Sequence, residues 1–187
     1  MQHEFHLASG PICLRPLEPS DADLLFTWLT DPHVLEYWEG PSTVYTPQRV
    51  QKDFYEDEWN ASRCIVGYQG KDIGYVQVYQ LDDEGFEEYQ YPKVDRPVYG
   101  IDQFIALPEY WGKGVGRAFI RLLTEELRAH RGAHSVVLDP HTDNLRAIRC
   151  YEACGFRKVK LLPQHELHDW KKVDCWLMAL VFPKEEG

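Results

Sequence analysis

At 187 residues, with 44% hydrophobic and 13% aromatic content, the chain has the size and composition of one folded domain, and no repeat or low-complexity stretch interrupts it. Its formal net charge of −10 excludes a sequence-independent grip on nucleic acid, which needs clustered Lys and Arg to displace counterions; cationic partners are favoured, although acidity for solubility alone gives the same figure. No apolar run reaches the roughly 18 residues of a membrane span, and Met1 to Phe5 lacks the basic and apolar regions of a secretory leader, so the expectation is a cytoplasmic protein with no membrane contact.

Ile12 to Leu17 reads as a first strand. Ser20 with Asp23 three positions later offers a capping-box-like start for a helix bearing Leu24, Leu25 and Trp28. Asp31-Pro32 sets a capping carboxylate before a proline at the first helical position and predicts a short helix from His33 to Trp38; Thr46-Pro47 repeats the device for a helix reaching about Asn60. Cys64 to Tyr68 and Ile73 to Tyr79 are β-rich runs joined by Gln69-Gly70-Lys71-Asp72, an antiparallel hairpin. From Gln80 to Pro97 the acids Asp82, Asp83, Glu84, Glu87, Glu88 and Asp95 mix with aromatics and prolines without periodicity, which predicts a long acidic loop with room for a short hairpin.

An apolar strand from Tyr99 to Ala106 then leads through a glycine-rich turn into a helix from Val115 to His130, with Phe119, Ile120, Leu123 and Leu127 on one face. Ser135 to Asp139 is a buried strand, Asn144 to Cys154 is helical, Gly155 supplies a left-handed stop, and Phe156 opens a strand that pairs with a last one from Val173 to Phe182. The expected fold is mixed α/β in a single domain over residues 1–187, antiparallel at first and β-α-β over about 99–156. Cys13, Cys64, Cys150, Cys154 and Cys175 are odd in number and form no CxxC pair, so they read as reduced thiols.

Trp111-Gly112-Lys113-Gly114-Val115-Gly116-Arg117 lies between a strand and a helix, where glycines let the backbone approach a pyrophosphate and helix N–H groups point at its charge. Lys113 and Arg117 read either as added cationic partners or as solvated surface. No GK[ST] ends the run, so the Walker pattern fails, and the dinucleotide fingerprint is partly met. Asp139 stands about where a ribose-binding acid would sit, which keeps a nicotinamide reading open, whereas Leu107 to Trp111 separates strand from glycines where that fingerprint wants a tight turn.

Gly112-Lys113-Gly114-Val115-Gly116, followed by Asn144-Leu145-Arg146-Ala147-Ile148-Arg149-Cys150-Tyr151-Glu152-Ala153-Cys154-Gly155-Phe156, resembles the paired motifs of the GCN5-related (GNAT) N-acetyltransferases. Within that superfamily, Gly100-Ile101-Asp102-Gln103, Leu138-Asp139-Pro140, Trp28-Leu29 and Val34-Leu35-Glu36-Tyr37-Trp38 are similar to the aminoglycoside 6′-N-acetyltransferases of the resistance type. Trp111 departs from the pattern, standing where the family often has Gln or Arg. The resemblance implies acetyl-CoA as cosubstrate and two splayed central strands. It implies cofactor contacts from Phe104, Ile105, Gly112, Lys113, Gly114, Val115, Gly116, Arg117, Asn144 and Tyr151.

Acetyl transfer needs a neutral amine, because an ammonium has no lone pair to attack the thioester. Asp102 and Asp139 stand where the resemblance places acids that hold and deprotonate the substrate. The expected roles are base or proton relay for Asp102 and positioning of the amine for Asp139, with strand N–H donors around Phe104 stabilising the tetrahedral intermediate. A carboxylate of ordinary pKa near 4 is a poor base for an amine and would act through ordered water. Tyr151 is expected, from its place in the motif, to reprotonate the departing thiolate; taken alone it reads rather as a packed helix tyrosine.

A polycationic substrate asks for acids and ring faces, and Tyr37, Trp38, Asp83, Glu87 and Glu88 are the candidates, Trp38 by resemblance. His141, His165 and His168 show no ligand spacing of a recognised metal motif, so no metal is expected, and Arg146 and Arg149 read as helix surface. The alternatives are a different amine, such as a siderophore hydroxylamine precursor or a protein N-terminus, and a non-catalytic acyl-CoA-binding module. Monomer and homodimer are left open.

Overall fold

The computed structural model describes residues 5–56 and 60–183. Strands β1 (Leu7–Ser9) and β2 (Ile12–Pro16) lead into helices α1 (Ala22–Leu29), α2 (Pro32–Leu35) and α3 (Pro47–Tyr55). The hairpin β3 (Ala61–Tyr68) and β4 (Lys71–Gln80) precedes a short helix α4 (Asp83–Glu88) and the strand β5 (Val98–Ile105). Helix α5 (Val115–Arg131), strand β6 (Ser135–Leu138), helix α6 (Leu145–Ala153) and the hairpin β7 (Arg157–His168) and β8 (Lys171–Val181) complete the chain. One eight-stranded sheet has the order β1-β2-β3-β4-β5-β6-β8-β7, with every pair antiparallel except β5 and β6. The mixed α/β architecture is the one expected.

Local details correct the sequence reading. The cap before α1 is built on Asp21, not Ser20: its carboxylate accepts the Glu18 N–H at 2.9 Å and a bidentate pair from Arg15 at 2.7 and 2.8 Å. A one-turn 3₁₀ segment therefore precedes the helix. Helix α2 closes at Leu35 and its chain continues to Trp38 as turns; α3 closes at Tyr55 rather than near Asn60, and residues 57–59 of the predicted extension lie outside the described residues. The acidic stretch is not a bare loop or hairpin. The Asp82 side chain accepts the Gly85 N–H at 2.9 Å, and Asp83 and Glu84 complement the dipole of the first turn, which nucleates α4 in a run too short to show periodicity.

Period-2 alternation divides the sheet. Val76, Val78 and Ile101 face α5 and α6, whose Phe119, Ile120, Leu123, Ile148 and Tyr151 join them in one core. On the opposite face Ile65, Tyr75 and Phe104 pack against α1, α2 and α3, and farther along that face Val98, Val137 and Leu177 pack beneath Leu81, Tyr89 and Tyr91. Between these two apolar clusters the register sets Gln77 opposite Asp102 and Tyr79 opposite Gly100. The polar gap in that face is the floor of the site.

The β7–β8 hairpin reaches back across this face. Its two-residue tip, Asp169-Trp170, has both residues at positive φ (50° and 65°), the twist that hairpins favour. Asp169 is held by the loop after α2: its N–H donates to the Glu39 carbonyl at 3.0 Å and its Oδ1 accepts from Ser42 N–H at 2.9 Å.

Gly100 is required by close approach, because a Cβ there would lie 2.2 Å from the Tyr79 ring. Gly100→Ala is expected to displace Tyr79, break its 3.0 Å hydroxyl contact with Tyr89 and destabilise the fold by about 1–3 kcal/mol, read as a lower urea midpoint with unchanged slope.

Candidate active site

Strands β5 and β6 pair over only three residues, Val98 with Ser135, Tyr99 with Val136 and Gly100 with Val137. Beyond Gly100 they part. The bonds from Leu81 N–H to Val98 carbonyl and from Ala106 N–H to Ile73 carbonyl, both 2.8 Å, commit even-numbered residues of this edge to β4. By antiparallel alternation the N–H and C=O groups of Gln103 and Ile105 therefore turn into the gap, while those of Phe104 are spent on β4. The Ile105 carbonyl accepts the Trp111 indole N–H at 2.8 Å, which gives this chain's unusual Trp111 a structural role.

A cleft of about 1170 Å³ runs through the gap. One end is the turn before α5, where Gly112 and Gly114 have φ of 69° and 82° and Gly114 caps the helix without a side-chain acceptor. The first helical N–H groups are thus left for an anion. Gly116 lets α5 close on α6, since a Cβ there would sit 3.3 Å from Cys150 Sγ. Gly112, Gly114, Gly116 and Arg117 line the cleft with Phe104 and Ile105; Lys113 is exposed and is not among the lining residues, and Val115 is buried in the core, so only its backbone belongs to the turn. Asn144 caps α6 through Oδ1 to Ala147 N–H at 3.2 Å and lines the cleft.

Asp102 and Asp139 come to the same cavity from β5 and from the loop after β6. Gln77 Nε2 donates to Asp102 Oδ2 at 2.8 Å, with Gln77 itself fixed by the Tyr75 hydroxyl at 2.9 Å. Burial, then repulsion by Asp139, pushes the Asp102 carboxyl up to about 8, against the lowering effect of Gln77. Burial also raises Asp139, opposed by His165, whose Nε2 lies 3.0 Å from Asp139 Oδ2; that same contact raises His165. The two carboxylates interact and titrate as a pair. The expectation of ordinary carboxylate acidity is thereby corrected.

Tyr151 reaches the gap from α6, and Gln103 Nε2 donates to its hydroxyl, so the phenol keeps its own proton for another acceptor. Burial raises its pKa. Tyr37, Trp38 and Glu88 also line the cleft, although Trp38 is half-packed against Phe104, Tyr75 and Phe54 and donates to the Tyr45 hydroxyl at 3.2 Å. Asp83 and Glu87 are not among the lining residues; Asp83 pairs with Lys93 in solvent, and Glu84, one turn before Glu88, takes the inner face of α4 instead. Arg146 is more than surface: its guanidinium lies 3.6 Å over the Trp111 ring and lines the cleft, as does Arg149.

Sequence reasoning missed Gln77, His165, His141 and Glu166 as cleft residues. Gln77 was detectable as a lone amide in an apolar strand. The others depend on how the final hairpin docks, which no local pattern encodes.

The model of the acetyltransferase (GNAT) domain matches residues 18–163. An aminoglycoside N(6′)-acetyltransferase type 1 of Klebsiella pneumoniae is 33% identical over 154 residues, covering 81% of this chain and 76% of the relative. A lysine N-acyltransferase of Mycobacterium sp. (strain MCS) is 26% identical over 84% of this chain and 63% of its own length. The structure of the aminoglycoside acetyltransferase AAC(6′)-Ib in complex with ribostamycin and coenzyme A superposes with a TM-score of 0.78 at 29% identity, covering 95% of this chain and 99% of that one. With the splayed strands, the glycine turn and the helix that carries Tyr151 all in place, the chain belongs to the GNAT family of acetyltransferases.

Proposed function

We propose that this enzyme transfers the acetyl group of acetyl-CoA to the 6′-amino group of an aminoglycoside, by direct attack of the amine on the thioester. The observation that carries the reading is the half-buried Asp102–Asp139 pair at the strand gap, within one cleft that also contains the glycine turn. A cleft of about 1170 Å³ exceeds the ordinary range for a single small ligand and has room for a CoA arm and a sugar together. Glu84 and Glu88 on α4, with Tyr37 across the cleft, add the acids and ring face that an oligo-ammonium substrate needs. A siderophore hydroxylamine precursor or a peptide N-terminus would make less use of that acid.

In this reading Asp139 receives the substrate ammonium, and Asp102 takes one of its protons, directly or through one water. Its raised pKa suits proton removal, since a base near 8 accepts from an amine far better than one near 4. As the amine nitrogen bonds to the acyl carbon and the carbon–sulfur bond breaks, one gap-facing N–H group of the β5 edge, that of Gln103 or of Ile105, donates to the acyl oxygen. Tyr151 gives its proton to the leaving thiolate, and the second proton shed by the nitrogen as the amide forms restores the phenol through water. The helix N–H groups at Gly114 to Gly116 hold the pyrophosphate, with Arg117 beside them. The domain reading stays that of one acetyltransferase unit, and five unpaired thiols fit a reducing, cytoplasmic setting.

Thiol titration of CoA release is expected to show turnover with a kanamycin-type aminoglycoside and none with its analogue lacking the 6′-amine; silence with both, despite acetyl-CoA binding, would reject the substrate assignment. For wild type, kcat/KM should rise with pH along an acid limb at an apparent pKa near 8, and Asp102→Asn should lose about 10² or more in kcat together with that limb. An unchanged kcat with a raised KM would leave Asp102 a binding group only. Tyr151→Phe is expected to lower kcat by about 10² with acetyl-CoA affinity kept, as measured by calorimetry.

Stability gives an independent readout. Because the folded pKa of Asp102 lies above its ordinary value of 3.8, the native state holds a proton that the unfolded chain releases; stability falls as pH rises between 3.8 and about 8, and the deficit is complete above that. At pH values well above the folded pKa, Asp102→Asn should therefore raise the thermal midpoint, and it should lose that advantage below the unfolded value.

A further inference from the structure

Behind one wall of the cleft, three side chains from separate segments bring ligand atoms together. His141 Nε2 lies 2.7 Å from Glu166 Oε2, and these atoms and Cys175 Sγ are all within 4.8 Å of one another. His141 and Cys175 are 7% and 0% exposed, whereas Glu166 is half-buried and lines the cleft beside His141.

The backbone fixes this meeting. His141 and Cys175 face each other across an isolated antiparallel bridge, flanked by bonds from Thr142 N–H to the Asp174 carbonyl at 3.0 Å and from Trp176 N–H to the Pro140 carbonyl at 2.9 Å. A bulge in β7 between Leu162 and Glu166 sets Glu166 opposite Val173, two residues before Cys175 and so on the same face of the hairpin. Nothing in the acetyl-transfer scheme uses Cys175.

We propose that His141, Glu166 and Cys175 bind a zinc-class divalent cation, and that the ion inhibits the enzyme by occupying the wall where a substrate ammonium would lie. An imidazole nitrogen, a carboxylate and a thiolate are the donor set of borderline-soft ions, and with a neutral imidazole their summed charge of −2 matches the ion. His141 coordinates through Nε2 as the neutral ring protonated on Nδ1, any excess proton of the His141–Glu166 contact leaves to solvent, and so does the Cys175 thiol proton. Ligand atoms around a tetrahedral zinc stand roughly 3.4 Å apart at bond lengths of about 2.0–2.3 Å, a spacing between the 2.7 Å of the His141–Glu166 contact and the 4.8 Å limit of the set. Three protein ligands leave a fourth tetrahedral position to be filled. His168 is a second imidazole there, its ring 4.6 Å from that of His141 and its buried Nδ1 without a hydrogen-bond partner among the described residues.

The ion takes no part in the reaction. Its binding follows from the cluster alone, while its competition with substrate rests on the aminoglycoside reading, through the shared cleft with Asp102 and Asp139. The test is titration of chelator-treated, reduced enzyme with zinc by calorimetry, and with cobalt by its thiolate charge-transfer absorption. One ion per chain with a cobalt–thiolate band is expected, with affinity falling at least about tenfold in both Cys175→Ala and Glu166→Gln, the loss that even outer-shell changes bring. Cys175→Ala should keep its basal turnover and escape zinc inhibition, and in wild type the inhibition should raise KM for the amine and leave that for acetyl-CoA unchanged. Absence of saturable binding, or binding undiminished in both variants, overturns the site; binding without any effect on the amine KM overturns the inhibitory role. Zinc binding in an enzyme that acetylates no aminoglycoside would sink the substrate assignment and leave the site standing.

Discussion

The ladder between β5 and β6 stops after three residue pairs, and the rest of the site is built around the place where it stops. A strand edge abandoned in the middle of a sheet leaves backbone donors and acceptors that cost about as much as lost hydrogen bonds if buried unpaired. The chain meets that cost once itself, by setting the Trp111 indole on the Ile105 carbonyl, and leaves the remaining edge as a template for a ligand that can pair like a strand. The same break joins the two faces of the sheet. Tyr151, which belongs to the core under α5 and α6, and Asp102, which points to the other face, open on one cavity only because the ladder between them is missing.

Two carboxylates at such a depth are expensive, and the structure shows how little of the cost is recovered. Gln77 gives Asp102 one hydrogen bond and His165 holds Asp139, yet burial still dominates both, joined at Asp102 by repulsion from Asp139. Full pairing with Arg or Lys would have stabilised the fold and pinned both groups as anions, useless as acceptors from an amine. Partial compensation by an amide leaves Asp102 titratable near 8, and Asp139 stays raised despite its imidazole partner. The apolar clusters on either side, around Phe104 and around Val98, carry the stability that this stretch of the floor gives up.

How much of this was legible in the chain depended on range. The glycine turn, its helix and the Asn144 to Phe156 segment are contiguous and have local physical signatures: left-handed glycines, an unpaired helix start, a capping asparagine. Those features pointed to an anion-binding turn, and the resemblance to the GNAT family added the cofactor and the acidic pair, Asp102 within β5 and Asp139 just after β6. Helix α4 was invisible because six residues with one capping aspartate show no period, and with it went the distinction between Glu84 and Glu88 on the inner face and Asp83 and Glu87 on the outer one. His165, Glu166 and His141 were unreadable for another reason: their position depends on a bulge in β7 and on the docking of the hairpin tip against Glu39 and Ser42, both settled by tertiary contacts.

Net charge misleads about where selectivity arises. The formal charge of −10 is spread over a surface where it is screened within about 10 Å of salt solution, and Asp83, one of the acids named as a candidate from sequence, pairs in solvent with Lys93. The acids that matter are those whose charge water cannot screen. In the proposed reaction a substrate ammonium entering the cleft would meet Asp139 and Asp102 in a medium of low effective dielectric, and each positive charge it brings would lower their pKa and strengthen its own hold. Binding of a polycation and activation of the base are thus the same electrostatic event, so a neutral ligand of equal shape would lack both the attraction and the driving force that makes Asp102 an anion.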